Sequence, residues 1–296
     1  MTPPRQILPD QNFEICSRTF ARTFRLLPKP AITNLFLYIL GIAAKRYGIT
    51  LYGLVVMVTH YHLTGKDLWG RLPEFAQYFN SLFARALNAY QGMEDKLWSG
   101  DGYHLLRPQS EGDLVARMVY IIANPVAADL VDCAAEFPGL IIRPDDIGKT
   151  ITARRPEFFF RDDGTMPDSI DLTFEVPAEF EHLGRDGYVK LLKDQLKARE
   201  CEHRRERVAA GRNVMGAQRC RNASLGRRSS SFERWFQLRP TIAARVKLER
   251  IEATKALESF HDQYRVALAM WRDGVRDALF PPGTWWMCRF CGAAVG

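Results

Sequence analysis

The sequence predicts a layered α/β or α+β domain over residues 1–140, followed by a connecting extension at 141–196 and a basic, mainly helical region at 197–296. Three observations carry this reading. Strand-like and helix-like segments alternate from residue 13 to residue 124, which indicates helices layered on a sheet. Residues 49–63 are apolar on both alternating faces, as in a strand covered on two sides. Positive charge is concentrated late in the chain. Between 197 and 239 stand Lys197 and eleven arginines against only Glu200, Glu202, Glu206 and Glu233.

Taken in order, residues 13–22 have β character. Pro28-Lys29-Pro30 then opens a helix over 31–46, with Gly48 just past its end. The apolar run 49–63 reads as one central strand. Leu72-Pro73 starts a second helix over 74–90, with Phe75, Phe79, Leu82, Phe83 and Leu87 on one face and Gly92 closing it. Residues 97–107 read as a strand interrupted by the turn Ser99-Gly100-Asp101-Gly102. Ser110 caps a third helix with Asp113 at its third position, and Pro125 is expected to end or kink that helix. Residues 144–170 are rich in Pro, Asp, Gly and Arg, and a last helix is expected over 241–279.

The chain has 296 residues, of which 47% are hydrophobic, enough for a substantial core. Its formal net charge of +7 favours a polyanionic partner. The segment 197–239 alone carries a surplus of eight positive charges, so the arm is expected to contact nucleic-acid phosphates. Arg204, Arg205, Arg207, Arg227 and Arg228 are the candidates, and a solvated linker is the competing reading. No signal peptide is legible at the start. The longest apolar run, 35–44, is too short to span a bilayer. Six scattered cysteines do not form a disulfide framework, so a cytoplasmic location is expected.

The chemistry concentrates in two short stretches. In a strand, residues two apart share a face, so His60 and His62 project together with Tyr61 opposite. Two imidazoles side by side can hold one divalent ion, although such a pair is often only polar residues at a sheet rim. On the third helix Tyr120 and Asn124 are four apart and stack on one face. An Asn carbonyl can complete a metal site begun by two histidines. A tyrosine one turn away then lies beside any phosphate that the ion binds, placed as a covalent nucleophile.

These residues resemble a known family. His60-Tyr61-His62 matches the HUH motif, in which U is a hydrophobic residue. Tyr120 followed by Asn124-Pro125-Val126 matches the tyrosine helix of single-tyrosine HUH transposases. The chain resembles most the REP-associated tyrosine transposases and their insertion-sequence relatives. Leu97-Trp98-Ser99-Gly100 also fits, and the match runs collinearly over about residues 5–140. The resemblance implies an α+β fold, an antiparallel sheet flanked by helices in the HUH or ferredoxin-like manner. It implies a bacterial transposase or endonuclease on single-stranded DNA, in which Tyr120 forms a 5′-phosphotyrosine link and releases a 3′-hydroxyl. His60, His62 and Asn124 would hold Mg2+ or Mn2+. The partner would be single-stranded DNA with hairpin or palindromic repeats, with no membrane, and the protein would be a homodimer. The family usually has Asn before the first histidine, where this chain has Thr59, and Pro or Ser before that, where it has Val58. The alternative is a non-catalytic or domesticated DNA-binding protein derived from such a transposase. A replication-initiation or mobilisation nuclease is a third reading.

Other residues offer weaker chemistry. Cys288-Arg289-Phe290-Cys291 is a lone CxxC without two further nearby ligands. Tyr90 and Tyr103 are rival nucleophiles but read as structural or DNA-stacking residues. His104 reads as a satisfied polar residue, and Trp98 as a hydrophobic anchor.

Overall fold

A computed structural model describes residues 4–100, 102–161, 163–229 and 240–296. The fold is mixed α and β, built on a five-stranded, mostly antiparallel sheet. Its strands are β1 (Gln11–Arg18), β2 (Ile49–Met57), β3 (His60–Asp67), β4 (His104–Pro108) and the short β7 (Ile242–Ala243). Their spatial order is β2-β3-β1-β4-β7, and only the β4–β7 pair is parallel. A separate antiparallel hairpin joins β5 (Thr150–Arg154) and β6 (Ser169–Thr173).

Helices cover both faces of the sheet. On β3, Tyr61 and Leu63 point to one side, where Tyr61 meets Phe36 and Phe79 edge-on at 5.4 and 5.6 Å. Those rings belong to α1 (Pro30–Tyr47) and α2 (Leu72–Gln91). Both helices open with proline in the first turn and end at a glycine in the left-handed region, Gly48 at φ 67° and Gly92 at φ 62°, a conformation without penalty only for glycine. The other sheet face, with His60, His62 and Thr64, meets α3 (Glu111–Ala127), where the Thr64 hydroxyl donates to Met118 Sδ at 2.9 Å.

The apolar run 49–63 is not one strand. It folds back at Val58-Thr59 into the β2–β3 hairpin, with Met57 paired to His60. No glycine or asparagine marks this turn, because its polar groups are satisfied from elsewhere. Thr19 donates its N–H to the Thr59 carbonyl, and Arg25 and Leu26 donate theirs to that of Val58. The strand expected over 97–107 shortens to β4. Leu97 and Trp98 leave only a bridge from Trp98 to Thr19, and Asp101 of the expected turn lies outside the described residues. Pro125 does not end α3, which continues to Ala127 with Pro125 and Val126 buried.

One hydrophobic core runs from Ile7 to Leu192 and crosses residue 140 without a break. The basic stretch is not an extended arm at its start. Residues 197–209 belong to α4 (Gly184–Ala209), which packs against α3. Buried Glu200 on α4 accepts the Ala134 N–H at 2.7 Å, and Arg207 pairs with Asp132 and Asp129. After the short α5 (Ala217–Arg221), the final long helix is α6 (Lys247–Arg272), shorter at both ends than expected. It shares a small second core, around Ala267, Phe280, Met287 and Ala293, with α7 (Trp285–Cys291). The C-terminal region is pinned to the first domain at the α3 cap, where buried Asp113 accepts the Arg245 N–H at 2.9 Å. No helix among the described residues is long and apolar enough to cross a membrane.

The hairpin that carries the histidines has little room at Gly65. A methyl group there would lie 2.3 Å from the Thr50 carbonyl oxygen, a backbone atom beside the register shift at Leu51/Gly53. Gly65→Ala is therefore expected to destabilise the protein by about 2–3 kcal/mol in urea unfolding. Gly100→Ala, whose nearest neighbour is the flexible Lys96 ammonium, should stay within about 0.5 kcal/mol. Equal midpoints for the two variants would contradict the close approach.

Candidate active site

Strand register assembles the site. On β1, Glu14, Cys16 and Arg18 alternate onto the α3 face and pair with Thr64, His62 and His60 of β3. His104 on β4 pairs with Cys16 from the other side. His60 and His62 thus stand at the end of β3 nearest the hairpin turn, with ring centroids 5.1 Å apart. From above, α3 brings Tyr120 to 5.8 Å from the His62 ring, and Asn124 hydrogen-bonds His60. The four residues of the two short stretches therefore meet in space.

Each imidazole is anchored through Nδ1. His62 Nδ1 lies 2.8 Å from Glu14 Oε1, and His60 Nδ1 lies 3.0 Å from Thr59 Oγ1. Each ring also has a second hydrogen-bond partner, Asn124 for His60 and Cys16 for His62. Thr59, at the position where the resembling family has Asn, is thus a direct partner of the first histidine.

Glu14 and Arg117 are residues that the sequence did not single out. Glu14 is 3% exposed and joins two cations. Arg117 Nε reaches Glu14 Oε2 at 2.5 Å and its terminal nitrogen reaches Oε1 at 2.9 Å, while His62 shares Oε1. Burial alone would raise the Glu14 carboxyl, but the bonds from His62 and Arg117 outweigh it and hold the group below its ordinary range. The Arg117 guanidinium also lies 4.0 Å above the Tyr120 ring and hydrogen-bonds its hydroxyl.

The two histidines are driven apart in charge. Burial, then the neighbouring His62 and the Arg18 guanidinium, push His60 down to about 3, so it is neutral. Burial pulls His62 down as well, but the Cys16 thiol and the Glu14 carboxylate beside it raise it to about 9. Tyr120 is 37% exposed, and burial of the rest of the ring keeps its phenol above the ordinary value against the pull of Arg117.

The remaining candidates fall elsewhere. Tyr103 is buried under Arg5, and Tyr90 packs on Phe158 at the end of α2. Trp98 stacks on Phe83 and donates to the Asn80 carbonyl, which suits the anchor expected of it. Cys288 and Cys291 are exposed on α7. Among the described residues no group of three or more His, Cys, Asp or Glu could hold a metal ion. Of the five arginines expected to meet phosphate, Arg207 is buried against Asp132 and Asp129. Arg204 donates to the Asp132 carbonyl and to Cys201. Both are held by the protein, because α4 turns that face toward the loop after α3. Arg205, Arg227 and Arg228 are exposed, and the charged residues Glu233, Arg234 and Arg239 lie outside the described residues.

No protein-family model matches the chain. No curated protein matches it in sequence. Among solved structures, the chain is similar to a REP-associated tyrosine transposase bound to a REP hairpin, at 14% identity and a TM-score of 0.41, over 47% of this chain and 81% of that one. It is also similar to a provisionally assigned transposase from Deinococcus radiodurans, at 21% identity and a TM-score of 0.30, over 42% of this chain and 97% of that one.

Proposed function

We propose that the chain is a single-tyrosine HUH transposase that cleaves and rejoins single-stranded DNA through Tyr120. The observation that supports this best is the meeting of His60 and His62 from one strand with Tyr120 and Asn124 from one helix, residues far apart in sequence and joined only by the fold. A chance pair of rim histidines gives no reason for an accessible tyrosine at ring contact, nor for an outer partner on each Nδ1.

In this reading the phenol oxygen of Tyr120 attacks a backbone phosphorus. The P–O3′ bond breaks, the 5′-phosphate stays on the tyrosine, and the departing O3′ takes up a proton as a free 3′-hydroxyl. Arg117, on the ring and at the hydroxyl, favours the phenolate and aims it. Glu14 holds Arg117 and His62 in register with one another. His60, His62 and Asn124 offer two imidazole nitrogens and an amide oxygen, a donor set suited to Mn2+ and, less well, to Mg2+. Such an ion would polarise the phosphoryl oxygens.

The test is the polarity of a covalent adduct. Single-stranded oligonucleotides from the DNA flanking the gene, which should include short imperfect palindromes, are incubated with the protein and divalent metal and run on a denaturing gel. Label at the 3′ end should remain on the protein and label at the 5′ end should leave with the 3′-hydroxyl fragment. Retention of the 5′ label, or no adduct with any flanking strand, would sink the proposal. Glu14→Gln should reduce adduct formation about 10- to 100-fold, the usual cost of losing a carboxylate behind a ligand histidine. Undiminished activity in that variant would show that Glu14 serves only folding.

A further inference from the structure

Beside the histidines, residues 19–23 form a loop under strain. Ala21 and Arg22 both adopt left-handed backbone conformations, at φ 51° and φ 54°, which residues with a side chain rarely take in succession. The surroundings hold them there. Thr19 bonds the Thr59 carbonyl through both its N–H and its hydroxyl, and Phe20 donates its N–H to Leu97. The loop's outer edge is then bound by a segment from the far side of the sequence. Phe24 N–H donates to the Arg227 carbonyl at 2.6 Å, Gly226 N–H to that of Phe24, and Ser229 N–H to that of Arg22. The Arg22 guanidinium also reaches the Ser229 hydroxyl at 2.9 Å.

The result is an isolated antiparallel bridge, Thr23 to Arg228, at the histidine end of the site. The loop presents Phe20 to solvent at 52% exposure. Exposed cations lie on the adjoining segments, two residues before Phe20 and on the bound return segment. Arg18, paired across the strands with His60, is exposed, as are Arg227 and Arg228. An exposed aromatic ring on a backbone fixed from both sides, with exposed arginines on the segments that fix it, suits stacking of one base and contact with its phosphates.

We infer that residues 19–23 and 226–229 form a clamp for single-stranded nucleic acid at the mouth of the site, in which Phe20 stacks an unpaired base and Arg227 and Arg228 take the adjoining phosphates. The inference rests on the single-strand reading above and names the part of the chain that would present the strand to Tyr120. It also assigns the basic region a place. Of its five candidate arginines, the two on the return segment are exposed and carried by backbone bonds to residues 22–24, whereas Arg204 and Arg207 are held at the loop after α3.

The test uses the full chain and two fluorescein-labelled probes of about twenty nucleotides, ample for one clamp. One is oligothymidylate and the other is the same backbone without bases. Phe20→Ala should weaken oligothymidylate binding about 5- to 100-fold and leave the abasic probe within about twofold, and Phe20→Trp should restore it. Replacing Arg227 and Arg228 with Gln together should weaken both probes alike and lower the salt slope by about 1.4. Equal effects of Phe20→Ala on both probes, or an unchanged slope in the double variant, would overturn the clamp. Wild-type protein that binds neither probe would overturn it together with the single-strand reading. A Tyr120 adduct with normal binding by the variants leaves the transposase reading standing and removes the clamp. Phe20-dependent binding without any adduct does the reverse.

Discussion

Tyr120→Phe is expected to abolish the covalent DNA adduct, by at least about 1,000-fold, while DNA binding and folding survive. The substitution removes one oxygen and keeps the ring. The ring contact with His62 and the guanidinium of Arg117 above its face are both available to phenylalanine. The hydroxyl's hydrogen bond to Arg117 is lost, but Arg117 keeps both of its bonds to Glu14, so its guanidinium is not stranded. Three other tyrosines lack its ring contact with His62. Tyr61 is fully enclosed on the opposite sheet face, Tyr103 lies buried beneath Arg5, and Tyr90 is committed to Phe158. The check is a denaturing gel beside an anisotropy titration with the same oligonucleotide. Adducts that persist in Tyr120→Phe would assign the nucleophile elsewhere. Loss of binding as well would make Tyr120 a contact residue and not the nucleophile.

Much of this site is legible in the sequence because its pieces are local. His60 and His62 share a face by strand period alone, and Tyr120 and Asn124 by helix period. The helices carrying the core are equally local, marked by Pro30, Gly48, Gly92 and the Ser110 cap, whose hydroxyl accepts the Asp113 N–H at 3.3 Å. What escapes the sequence is whatever depends on distant partners. Glu14 meets His62 48 residues away and Arg117 103 residues away, and no spacing rule joins such positions. The Val58-Thr59 turn lacks turn residues because Thr19, Arg25 and Leu26 supply its hydrogen bonds. The charge surplus of 197–239 is partly answered within the fold for the same reason. Arg204 and Arg207 are balanced by Asp129, Asp132 and the carbonyls around them, acceptors outside the stretch in which the charge was counted.

The second large effect concerns metal binding and its dependence on pH. A divalent ion binds neutral imidazole, so a proton on either histidine competes with it. His60, pushed down to about 3, carries no proton at any pH where the protein would be handled. His62, raised to about 9 by the Cys16 thiol and the Glu14 carboxylate against the effect of burial, carries one through neutrality and must release it. The apparent Mn2+ affinity should therefore rise about tenfold per pH unit between pH 6 and about 9, then level off, as titration calorimetry or the Mn2+ spin-resonance signal would show. One proton should be released per ion bound in that window. His62→Ala should remove both the slope and most of the affinity, and His60→Ala should lower the affinity while keeping the slope. Glu14→Gln separates two roles of the carboxylate. Without the negative charge His62 loses a main reason for its raised pKa, so the plateau should begin at lower pH even as the oriented ligand is weakened. Affinity that is flat from pH 6 to 9 in the wild type would mean that His62 is not a ligand. The pair would then be a hydrogen-bonded rim beside Tyr120, and the DNA chemistry would have to proceed without it.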